Sequence, residues 1–142
     1  MIRIFNFFRT YYKSILVLFI ILFMSIASGQ KIERVNWINI PHFDKIVHLL
    51  IYMIFSLVLA YDIQKSNANI SLRRTILIVL FSVMLYGGIM ELIQEYLIKT
   101  RSGDWLDFAS DTIGIIFAVL LIILNRKGAQ RVSQRRAKGR NI

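Results

Sequence analysis

The sequence predicts an all-α integral membrane protein of four antiparallel transmembrane helices with both termini cytoplasmic. Three observations lead there. Of 142 residues, 56% are hydrophobic and only 18% charged, against roughly 25% charged in a soluble domain, and the mean hydropathy is +0.58. The charges cluster between four long apolar runs. The lysines and arginines also fall unevenly on the two sides that these runs would separate.

A hydrocarbon core about 30 Å thick is crossed by roughly 20 helical residues at about 1.5 Å each. Four stretches meet that length or approach it: Tyr11 to Ser28, Asp44 to Tyr61, Thr75 to Leu97 and Trp105 to Leu124. Each is apolar all round the helix, as burial in lipid or in a bundle requires. The first follows a basic start and ends in the small residues Ser25, Ala27 and Gly29, a pattern shared with signal peptides. Left uncut it is a signal anchor, with Phe5, Phe7, Phe8, Tyr11 and Tyr12 as an aromatic belt at the interface. The connections Gly29 to Phe43, Asp62 to Arg74 and Ile98 to Asp104 are short, which sets neighbouring helices antiparallel. Residues 1–125 therefore read as one transmembrane domain, and 126–142 as a basic, disordered cytoplasmic tail.

Orientation follows from the basic residues. Thirteen lie on one side: Arg3, Arg9, Lys13, Lys65, Arg73, Arg74 and seven in the tail from Arg126 to Arg140. Five lie on the other: Lys31, Arg34, Lys45, Lys99 and Arg101. The first side is cytoplasmic by this rule. Seven of the eight acids (Glu33, Asp44, Glu91, Glu95, Asp104, Asp107 and Asp111) then belong to the outer side, and only Asp62 to the inner.

Helical spacing gathers the outer polar groups. Asp44, His48 and Tyr52 recur every four residues, Glu91 shares a face with Gln94 and Glu95, and Asp104, Asp107 and Asp111 continue inward to Gly114 and Ala118. His48, Glu91 and Asp111 lie about 6, 9 and 10 Å below the outer ends of their helices at about 1.5 Å per residue. Carboxylates at such depth are expensive in lipid and belong in the bundle interior, paired or wet. The sequence thus predicts an extracytoplasmic polar pocket among helices 2, 3 and 4, with Asp44, Lys45, His48, Glu91, Gln94, Arg101, Asp107 and Asp111 as ligand-binding candidates. Gly87 and Gly88, with the seam of Gly114 and Ala118, predict a close approach of helices 3 and 4.

Plainer roles fit some of these residues. Asp44 and Asp104 stand where helix N-caps belong, and His48 also fits an interhelical hydrogen-bond donor. A buried acid and arginine network can fix helix packing without doing chemistry. The basic tail suits anionic inner-leaflet lipid. It has no aromatic residues to stack on bases, which argues against nucleic acid. The absence of cysteine excludes disulfides and thiol chemistry.

The order Asp44-Lys45-Ile-Val-His48, Glu91-Leu-Ile-Gln94, then Arg101, Asp107 and Gly114 resembles the VanZ-like family of small bacterial membrane proteins, over about Pro41 to Leu124. Asp111 stands where that family usually has Asn, and Ala118 where it has Gly. Lys99 and Thr100 occupy the loop in which a Pro usually precedes the Arg. The resemblance implies a cell-envelope setting and a link to teicoplanin-type glycopeptide resistance, with no established reaction.

Three functions are consistent with these residues. The favoured one is a pocket for an envelope molecule, a lipid-linked glycan or the lipid tail of a glycopeptide, with Arg101 and Lys45 reading anionic groups. The second is an intramembrane enzyme with Glu91 and Asp107 as acid and base, or with a divalent cation as cofactor on His48, Glu91, Asp107 and Asp111. The third is a structural or assembly subunit. Expected partners are membrane lipids, the envelope ligand and further copies of the chain. No phosphate loop or nucleophile elbow points to a soluble enzyme.

Overall fold

A computed structural model of the chain describes residues 2–27, 43–97 and 105–138, with side chains over 4–26, 43–96 and 105–128. Four helices follow one another, α1 (Ile2–Ala27), α2 (Phe43–Ser66), α3 (Leu72–Leu97) and α4 (Trp105–Lys138). All four are long and apolar enough to cross a membrane.

The elements exceed the predicted spans at several ends. α1 begins at Ile2 because its aromatic and basic start contains no helix breaker, and α2 runs on to Ser66. There the chain turns: the Asn67 side chain accepts the Asn69 N–H at 3.1 Å, and Ser71 Oγ caps α3 by accepting the Arg74 N–H at 3.3 Å. α4 continues past Leu124 to Lys138, so residues 126–138 are helical instead of the disordered tail the sequence predicts. Ala, Gln, Lys and Arg all favour helix, and Pro41 is the chain's one proline.

The helices pack around Tyr52, Phe55, Val79, Val83, Met90 and Ile115, all buried. Phe55 meets Tyr86 edge to face at 5.7 Å, a preferred aromatic geometry. The Tyr86 hydroxyl donates to the Leu18 carbonyl at 2.8 Å, tying α3 to α1. α2 and α4 share the most extensive contact. Gly114 makes it possible, since a Cβ there would lie 3.1 Å from the Leu49 carbonyl carbon and 3.2 Å from its Cα. The seam of Gly114 therefore faces α2, where the sequence suggested α3. Helices α3 and α4 meet instead through Gly87, beside Asp111, and Gly88, beside Phe108.

At the opposite end, α1 is held by a polar contact. Asp62 is 1% exposed, and its Oδ2 accepts the Ser14 hydroxyl at 2.7 Å and the Ser14 N–H at 3.1 Å. Next to it, the Tyr11 and Ser66 hydroxyls meet at 2.9 Å, and Lys13 lies 4.8 Å from the Tyr61 ring centroid.

Candidate functional site

Close packing of α2 on α4 places the first two turns of each side by side. Lys45 Nζ donates to Asp107 Oδ1 at 3.0 Å. One turn deeper, His48 Nδ1–H donates to Asp111 Oδ1, also at 3.0 Å. His48 Nε2 lies 4.0 Å from Asp107 Oδ2, so the imidazole sits between two carboxylates. Both aspartates are 1% exposed. Burial makes these contacts energetically serious, because a carboxylate removed from water must be paired or wet.

The other candidates divide by helix face. Tyr52, a turn below His48, is 1% exposed and stacks on the imidazole with centroids 6.4 Å apart. α3 contributes Glu91, which groups with His48 and Asp111 so that one ligand atom from each lies within 4.8 Å of the others. Gln94 is buried, and its Oε1 has no hydrogen-bond partner; the same holds for Asp111 Oδ2. Asp111 Oδ2 is directed at α3, 3.3 Å from where a Cβ on Gly87 would sit. Asp44 is different: its side chain is 56% exposed and lies 3.7 Å from Lys45, at the rim of the cluster. Arg101 and Asp104 fall outside the described residues.

Of the four metal candidates the sequence singles out, the grouped set contains three. Asp107 is engaged by Lys45. Of the basic partners the sequence offers these acids, Lys45 pairs with Asp107 and His48 with Asp111, while Arg101 lies outside the described residues. Asp62 is different, because the sequence marks it only as the single inner acid while the structure buries it on Ser14. Ser14, next to Lys13 at the polar start of the first apolar run, was the available signal.

Beside the cluster a groove of about 370 Å³ runs between α3 and α4. Met84, Gly88, Leu92 and Phe108 form its apolar walls, and Glu91, Glu95 and Trp105 its polar end. Glu91 therefore belongs to both features. No protein-family model, curated protein or solved structure matches the chain.

Proposed function

We propose that the chain is a VanZ-like membrane protein whose polar cluster and adjoining groove receive an amphiphilic envelope molecule, a lipid-linked glycan or the lipid tail of a glycopeptide. The observation that carries this reading is the junction at Glu91. An apolar groove suited to an acyl or polyprenyl chain leads there to a cluster of Lys45, His48, Asp107 and Asp111 suited to a polar head. A pocket mostly apolar with a few convergent polar groups is the usual form of a ligand site.

In this reading successive helices run antiparallel. Support comes from pairs joining Tyr11 and Ser14, early in α1, to Ser66 and Asp62, late in α2. The pairs joining Lys45 and His48, early in α2, to Asp107 and Asp111, early in α4, agree with it. The excess of basic residues on the side away from the cluster supports cytoplasmic termini and a pocket in the outer leaflet. Because Ser14 holds Asp62, α1 stays attached as part of the bundle.

The function is tested in cells by comparing teicoplanin with vancomycin susceptibility for wild type, Glu91→Gln and Asp107→Asn at matched folded levels. Loss of protection against teicoplanin alone in both variants is the expected result. Unchanged susceptibility in all three would refute the link to glycopeptides. A fall in folded yield with full activity per molecule would point to the purely structural role.

A further inference from the structure

We propose that His48, Glu91 and Asp111 hold a single divalent transition-metal ion, of the class of Zn²⁺ or Mn²⁺, in the interior of the bundle. The three come from three different helices, and one ligand atom from each lies within 4.8 Å of the others. Ligand atoms at about 2.0–2.2 Å from a tetrahedral ion stand about 3.4 Å apart. The widest pair must therefore close by up to about 1.4 Å, a movement that rotation of the His48 and Glu91 side chains can supply.

Orphaned acceptors in the same interior call for a cation. Asp111 is 1% exposed, and its Oδ2 has no hydrogen-bond partner; Gln94, a turn beyond Glu91 on α3, buries Oε1 in the same condition. A buried acceptor without a donor is costly unless a cation or water supplies one.

Ligand chemistry selects the class of ion. An imidazole nitrogen suits Zn²⁺, Mn²⁺ and their neighbours better than Mg²⁺ or Ca²⁺, which prefer a shell of oxygens alone. Ligation through His48 needs the lone pair of a neutral imidazole nitrogen, so protons compete with the ion and binding weakens on acidification. Gly87 keeps the approach to Asp111 Oδ2 open, since a Cβ there would sit 3.3 Å from that oxygen.

The test uses the full chain purified in mild detergent, stripped with a chelator, then titrated with Zn²⁺, Mn²⁺, Mg²⁺ or Ca²⁺ alone. Metal content and thermal stability are read for wild type, His48→Ala, Asp111→Asn and the exposed control Lys65→Gln. Expected is one equivalent of Zn²⁺ or Mn²⁺ per chain in wild type and Lys65→Gln, with an affinity at least about tenfold weaker in the two cluster variants and falling as pH is lowered. Wild type alone decides the matter if the variants do not fold. Folded wild type that takes up no stoichiometric Zn²⁺ or Mn²⁺, or that binds Mg²⁺ as tightly, overturns the proposal. So does binding that is equal in folded cluster variants. The inference goes beyond the envelope ligand proposed above, and bound lipid is measured separately in the same samples, so either can fail alone.

Discussion

Replacing Gly114 by alanine strikes the contact on which the cluster stands. The new Cβ would lie 3.1 and 3.2 Å from the carbonyl carbon and Cα of Leu49, and nearer still to its carbonyl oxygen. Carbon atoms pack at about 3.5–4.0 Å, so α2 and α4 must part by roughly 1 Å. The obstacle is backbone, which cannot rotate aside as a side chain can. Overpacking of this kind costs about 3 kcal/mol, at the upper end of its usual range. Alanine's better helix propensity returns about 1 kcal/mol, leaving a net loss of about 2 kcal/mol. That is roughly a 30-fold fall in the folded-to-unfolded ratio, readable by denaturant titration in mixed micelles. Gly128 provides the matched control, because a Cβ there meets nothing within 4 Å, and Gly128→Ala should be neutral or stabilising. Gly114 lies one turn below Asp111 and Leu49 adjoins His48, so parting the helices also lengthens both 3.0 Å contacts of the cluster. Wild-type stability in Gly114→Ala, or an equal loss in Gly128→Ala, refutes the reasoning.

Other substitutions probe the remaining contacts. Lys45→Met removes the ammonium from an Asp107 side chain that is 2% exposed; because the lysine is only part-buried and His48 stays 4.0 Å from that carboxylate, the loss should be about 1–3 kcal/mol, and adding Asp107→Asn should restore at least half, as chemical unfolding of both variants will read. Asp62→Ala should destabilise by about 1–2 kcal/mol, limited because the Ser14 hydroxyl can turn to its own helix. A double-mutant cycle with Ser14→Ala should return a coupling of about 1 kcal/mol, within the range seen for membrane hydrogen bonds. Gly87→Ala places a Cβ 3.2 Å from the Tyr52 ring and 3.3 Å from Asp111 Oδ2. It should cost about 1 kcal/mol, less than Gly114→Ala in the same titration, because both neighbours are side chains.

Length and hydropathy made the four spans legible, because the bilayer imposes both on any helix that crosses it. The ends were less so: α1 starts before Tyr11, and α4 outlasts Leu124, since polar residues that leave the membrane can keep a helix going. The gathering of His48, Glu91 and Asp111 was visible as three polar groups at one level on three helices. Which acid takes which base was not, because Asp107 and Asp111 share a face of α4 and only the register of α2 against α4 assigns Lys45 to one and His48 to the other. That register rests on Gly114 meeting Leu49, a fit between surfaces that spacing along a single helix does not contain. The pairing of Ser14 with Asp62 depends in the same way on how α1 lies against α2.

Native mass spectrometry of the purified chain reads whether an amphiphile occupies the junction of groove and cluster at Glu91. Wild type, Glu91→Gln and Asp107→Asn are released from detergent side by side, and bound mass is read on each. A ligand lodged where groove and cluster meet predicts a defined amphiphile of one mass on wild type, depleted in both folded variants. Bare wild-type protein, or the same lipids at the same occupancy on all three, would contradict it.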